Sequence, residues 1–208
     1  MRLAVLTGLY VGVVCSAQVG ATKIVVLPYQ GLDVPGGTYL IGVALALIEI
    51  AHYTAPTRRE GWRNAQLMIL MGFAASAVLA AYIQIIVHSQ PAFPGQGFDR
   101  VLGSTWRIVA GSLAAFIVSE SVDNLIGAWM RGRFPDVMRV IGTNLVSAPL
   151  DSLVFILVAF GGGFGLVEGQ FVGKMEATVL IGLPLVLLLR RLLAENDERA
   201  LRPARVEA

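Results

Sequence analysis

Apolar stretches of about 20 residues recur along the whole chain, each long enough to cross the ~30 Å hydrocarbon core of a bilayer as a helix. No other feature restricts the fold so much, because hydrocarbon offers no water to unpaired backbone groups and admits only helices or closed barrels. Six such runs are read: Leu3 to Val19, Thr38 to Tyr53, Ala65 to His88, Arg107 to Met130, Thr143 to Phe160 and Phe171 to Leu193. Composition excludes the alternative of one large soluble core. The chain is 56% hydrophobic and 14% charged, with a mean hydropathy of +0.71, whereas soluble domains carry about 25% charged residues. The expectation is an all-α polytopic membrane bundle of about six helices, residues 1–194, with the bilayer as its solvent. The first run follows Arg2 in the manner of a signal peptide, but no small-residue cleavage site and soluble domain follow it, so it is read as a retained helix. The segment 195–208, "ENDERALRPARVEA" with its preceding boundary at Leu193, is read as a polar cytoplasmic tail of disordered composition.

Short loops rich in Lys and Arg are held on the cytoplasmic side. Placing both termini there puts Arg2, Arg58, Arg59, Arg63, Arg131, Arg133, Arg139, Arg190, Arg191, Arg199, Arg202 and Arg205 inside, and Lys23, Arg100, Arg107 and Lys174 on the outer half. Twelve of the 16 basic residues then lie inside. Topology thus accounts for the net charge of +2, which gives no reason to expect a nucleic-acid partner. The longest outer connection, "SQPAFPGQGFDRVLGS", is rich in Pro and Gly and reads as a surface loop.

Polar residues inside the runs fall into stripes, since positions three and four apart share a helix face. The second run carries Glu49 with His52 and Tyr53 near its cytoplasmic end. The fourth carries Glu120, Asp123 and Asn124, flanked by Ser119. The fifth carries Asn144, Ser147 and Asp151, with Ser152 adjacent. A charge at the centre of a membrane helix costs at least ~2.5–3.5 kcal/mol, so such residues turn toward partners or a wet cavity. Glu49 and His52 are close enough to the interface to reach water, which leaves a topological role as open as a functional one. The fourth and fifth runs, as bounded here, hold Glu120, Asp123 and Asp151 and no interior cation. Their acids are therefore expected to share protons rather than form salt bridges, as a proton relay or a site for a polar ligand. On this reading, removing the Asp151 charge spares the fold. Small residues at Gly8, Gly12, Ser16 and Gly20 form a stripe read as helix packing, and Cys15 as a small core residue. Lys23 is left either reaching for the interface or supplying a positive charge beside a cavity.

Catalytic patterns are absent from the sequence. Ser112 in "AGSLAA" has neither a second glycine nor an evident base, "YQGLD" around Asp33 lacks the setting of an aspartyl intramembrane protease, and two histidines with one cysteine give no metal-ligand spacing. No phosphate-binding loop is visible. No cofactor is expected.

The run "RIVAGSLAAFIVSESVDNLIGAWMRGR", followed by "NLVSAPLDSLVFILVAFGG", resembles the VUT or YhhQ family of queuosine-precursor transporters, from Val101 to Gly162, with weaker agreement through "ATKIVVLP" and "LIEIAHY". The most specific part is the pattern formed by Asp151, Ser152, Phe155, Ala159 and Phe160. The resemblance implies six spans and uptake of a 7-deazaguanine base, and carries over Ser119, Glu120, Asp123, Asp151 and Ser152, with Glu49 more loosely. On this reading a carboxylate, Asp151 or Glu120, accepts two parallel N–H donors of a purine-like base, Phe116 and Phe155 are candidates for stacking, and Asp123 is a candidate for proton coupling. The alternative is a substrate-binding subunit that borrows an ATP-driven module, as in energy-coupling-factor importers, with Ala17 and Ala21 as a docking stripe. The oligomeric state stays open, a homodimer included. The map of the chain is tested by reporter fusions: those after Arg63 and Arg133 should report the cytoplasm and those near Gly97 and Glu168 the outside, and the reverse pattern overturns it.

Overall fold

The computed structural model of the chain describes residues 2–26, 31–89, 93, 97, 106–161 and 165–206. It is a helical bundle: α1 (Arg2–Ala21), a short antiparallel hairpin of β1 (Ile24–Val26) and β2 (Asp33–Pro35), α2 (Leu40–Thr54), α3 (Arg58–Val87), α4 (Trp106–Met130), α5 (Asp136–Phe160), α6 (Gly165–Ala177), a π-helical turn (Thr178–Gly182) and α7 (Leu183–Val206). Among the described residues, five stretches are long and apolar enough to cross a membrane, the last running from Val167 to Ala194 through the π turn. The chain is a multi-pass membrane protein. Most of the 89–104 loop expected at the outer surface lies outside the described residues.

The second helix departs from the pattern of the others. At 15 residues and 1.5 Å of rise per residue it is only about 22 Å long, yet Gly42 and every residue from Ala44 to His52 is buried. It packs against α1, α3, α4, α6, the π turn and α7. A helix apolar all round belongs in the centre of a bundle, and protein rather than lipid shelters its ends, so it needs no full-length apolar run of its own. Tyr10, Val14, Ala44, Leu47, Ile48, Ala65, Met68 and Ile69 form the core where α1, α2 and α3 meet.

Helix ends follow local chemistry. Thr57 caps α3, its side chain accepting from Glu60 N at 3.2 Å, and Gly161 ends α5 in the left-handed region with φ 74°, a conformation that costs a side-chain-bearing residue energy. Several sequence boundaries move: α3 starts at Arg58, seven residues before the expected Ala65, and α6 at Gly165, six before Phe171. Helix α5 starts at Asp136, seven residues before the expected Thr143, because Arg139 interrupts the apolar run without interrupting the helix; its side chain is buried. Helix α7 continues to Val206, so the backbone of the polar tail up to that residue extends a helix.

Of the small-residue stripe of α1, Gly20 packs closely and Gly8 and Gly12 do not. A Cβ at Gly8 or Gly12 would meet nothing within 4 Å, and Ser16 Oγ bonds back to its own helix at Gly12 O, 2.8 Å. Close approach happens further along, where a Cβ on Gly20 would lie 3.1 Å from Gly37 Cα and one on Gly37 would run into the carbonyl oxygen of Ala17. Cys15 is half-buried rather than core. A second close crossing joins α2 to the end of α6 and the π turn: a Cβ on Gly42 would strike the Ala177 carbonyl oxygen, and one on Gly182 would lie 3.1 Å from Gly42 O. Gly42→Ala should therefore cost about 1–3 kcal/mol and lower the melting temperature in detergent, while Gly12→Ala, facing open space, should leave it nearly unchanged. Equal effects of the two would refute this packing.

Candidate functional site

The bundle encloses one cavity lined by the acids of α4 and α5. It lies between α1, the residues joining β2 to α2, α2, α4, α5 and α6, and its empty space, with the open mouth counted in, is about 830 Å³. The lining draws on the second half of α1 (Val13 to Ala21), the start of α2, the first half of α4 and the middle of α5. Chain direction alone therefore puts its mouth at the hairpin end of the bundle.

Ser119, Glu120, Asn144, Asp151 and Phe155 all line this cavity, as do Ser147 and Phe116. Asp151 has both oxygens engaged: Ser119 Oγ donates to Oδ1 at 2.9 Å, and Lys174 Nζ forms an ion pair with Oδ2. Glu120 accepts from the hydroxyl of fully buried Tyr10 at 3.2 Å. Asn144 donates to Thr178 Oγ1, tying α5 to the π turn. Phe116 and Phe155, the two stacking candidates, both face the cavity, and Phe116 also packs on Tyr10 with ring centroids 6.2 Å apart.

Four predicted residues lie elsewhere. Asp123 is buried just behind the wall and accepts from Ser147 Oγ at 3.0 Å, so it reaches the cavity through one hydroxyl. Ser152 is fully buried outside the lining, because the position after Asp151 points about 100° away on the helix. Asn124 faces α3, donating to Trp62 O at 3.1 Å and Gln66 Oε1 at 3.0 Å, which makes it a clamp between helices. Glu49 belongs to a second cluster at the opposite end, ion-paired to Arg139; Arg139 also lies 3.7 Å from Asp136, which pairs in turn with Arg190, whose guanidinium sits 4.2 Å over the Tyr53 ring. Buried His52 lies beside this cluster, with no partner for either ring nitrogen among the described residues.

The expectation that Glu120, Asp123 and Asp151 lack cations is overturned for Asp151, and the expectation that α5 carries no interior cation is overturned by Arg139, which pairs with Glu49. Arg139 lies on α5 itself, in the turns the apolar run did not include. Lys174 comes from α6, 23 positions beyond Asp151, and no short-range pattern connects the two. Lys23, the cation considered from sequence, is exposed, and its carbonyl accepts from Gly36 N. Sequence reasoning also missed Gln170, Lys174 and Thr178. Their spacing of four, a polar stripe through an apolar run, is the signal that could have found them. Among the described residues no group of three His, Cys, Asp or Glu is placed to hold a metal.

Comparison with known proteins fits this architecture. The sequence model of the family described as "Putative vitamin uptake transporter" matches residues 42–189, a stretch that includes every site residue discussed from α2, α4, α5 and α6. The "Probable queuosine precursor transporter" of Bacillus subtilis (strain 168) is 26% identical over 155 residues, covering 68% of this chain and 67% of that relative. No solved structure matches.

The Asp151–Lys174 pair changes what neutralising Asp151 should do. An amide there strands a buried ammonium, and breaking one side of a buried pair costs up to about 3–5 kcal/mol. Asp151→Asn should therefore lower the melting temperature, against the sequence reading that the fold is spared, and Asp151→Asn with Lys174→Gln should recover most of the loss. A double variant no more stable than the single one would show that the pair is not the cause.

Proposed function

This chain belongs to the vitamin uptake transporter family, and from that premise we propose that it imports a queuosine precursor, a 7-deazaguanine base, through the cavity that Asp151 lines. The observation that carries the reading is a carboxylate held at mid-helix on the wall of a largely apolar cavity, with aromatic rings beside it. A guanine-like edge presents two parallel N–H donors. An ionised carboxylate has about four lone-pair positions, so Asp151 can accept both while keeping Ser119. Phe116 and Phe155 offer faces for stacking, and Glu120, held by Tyr10, faces the same space. Ser119 and Asn144 fix the surrounding polar geometry.

Proton coupling fits the same wall. Asp123 sits one hydroxyl away from the cavity through Ser147, and Glu120 is within electrostatic reach of both Asp123 and Asp151, so a proton taken up by this group changes the charge that the ligand meets. With both termini in the cytoplasm, as the distribution of basic residues argues, the cavity mouth faces outside and the Glu49, Arg139, Asp136 and Arg190 cluster closes the inner end. That is the outward-open member of an alternating pair.

The test is a bacterium unable to make or import the precursor, expressing this chain alone, with queuosine in tRNA as readout and the nitrile, aminomethyl and free-base forms fed separately. Wild type should restore the modification with one of them. The Asp151→Asn, Lys174→Gln double variant should reduce it at least roughly tenfold, since each buried donor left unpaired costs about 1–3 kcal/mol. Asp33→Asn, an exposed side chain on β2, should transport normally. Failure with every 7-deazaguanine would sink the substrate, and restoration only when an energising module is co-expressed would favour the binding-subunit alternative.

A further inference from the structure

Helix α6 supplies a wall of the cavity that none of the predicted ligand contacts uses. Lys174 and Gln170, one turn apart, are each 4% exposed and both line the cavity. Gln170 Oε1 has no hydrogen-bond partner among the described residues. A buried amide oxygen left unpaired is costly, and one on a cavity wall is satisfied when a ligand brings a donor. Lys174 stands at the opposite sign. Its ammonium has three N–H donors, and Asp151 Oδ2 takes one of them. A donor surplus thus lies directly beside the acceptor surplus of the Asp151 carboxylate.

We infer that Lys174 reads a carbonyl on the ligand next to the N–H groups that Asp151 accepts, so that the pair together selects a keto base over an amino base. This rests on the purine-like substrate proposed above and adds a specificity residue to it. A guanine-type edge offers, in order, a carbonyl oxygen, a ring N–H and an exocyclic amine: one acceptor for the ammonium followed by two donors for the carboxylate. An adenine-type edge offers an exocyclic amine and then a ring acceptor, which sets donor against donor at Lys174 and acceptor against acceptor at Asp151. A site built to pair such groups rejects the mismatched ligand far more strongly than a packing pocket rejects a lost methylene. Gln170, on the same face, is placed for a further donor of the bound base.

The experiment is equilibrium binding to the detergent-purified full chain of 7-deazaguanine, 7-deazahypoxanthine and 7-deazaadenine. Wild type should bind 7-deazaguanine roughly 100-fold more tightly than 7-deazaadenine. The 7-deazahypoxanthine, which keeps the carbonyl and one N–H, should fall between. Lys174→Gln should shrink the ratio between the keto and amino bases by at least roughly tenfold, whereas Lys174→Arg, which keeps the donors and the charge, should preserve it. The readout is a ratio within one protein, so partial loss of folded material does not imitate it. Comparable binding of keto and amino bases by wild type, or an unchanged ratio in Lys174→Gln, overturns the role of Lys174 while leaving the substrate class standing. Binding of none of the three bases removes both.

Discussion

A carboxylate inside a bilayer must be neutralised, by a proton or by a cation reached through the fold, and this chain uses cations at two levels of α5. Near its start Arg139 pairs with Glu49 of α2; past its middle Asp151 pairs with Lys174 of α6. The two pairs fix α5 against different neighbours, and Pro149 lies between them. Proline removes the hydrogen bond that the carbonyl of Leu145 would accept and weakens the helix there. Replacing buried ion pairs by well-packed apolar residues is often neutral or stabilising. The pairs are therefore better understood as positioning charges for use than as sources of stability.

The cavity exists because the centre of the bundle is short. Helix α2 begins at Leu40, and the chain between it and α1 is taken up by the hairpin and by the turn around Gly36 and Gly37, whose backbone lies directly on Ala17 and Gly20. Ala17 and Ala21, a docking stripe when read from sequence, line the cavity instead. The space beside the first turns of α2 is left to polar side chains from α4, α5 and α6. At the opposite end α2 is packed all round, and charged residues from α2, α5 and α7 interlock.

The helical bundle and the acids of α4 and α5 could be read from the sequence because hydropathy and helical periodicity act over one or two turns; the 15-residue α2, counted as a sixth span, is too short to be one of the five membrane-length stretches. Asp151, Glu120 and Ser119 were recognisable as a carboxylate-bearing face for the same reason. Lys174 was not, since the pairing of α6 with α5 is decided by tertiary packing. Arg139 was hidden by an assumption: a charge marks the end of an apolar run, but a charge with a buried partner does not end a helix. Asn124 and Ser152 share a short motif with true cavity residues and still face other helices, because neighbours in sequence are about 100° apart around the axis. Gly8 and Gly12 show the converse, a packing motif with nothing packed on it.

The π turn at Thr178–Gly182 sets the angular phase between the two halves of the last span. Lys174 and Arg190 are 16 positions apart, which in an unbroken α-helix of 100° per residue places them about 160° apart, on opposite sides. A π turn absorbs one extra residue, bringing them to about 60°. Both can then face α5, Lys174 toward Asp151 and Arg190 toward Asp136. A helical wheel drawn straight through this span would send one of the two cations into lipid. One inserted residue is what lets a single transmembrane segment serve the cavity at one depth and the charged closure at another.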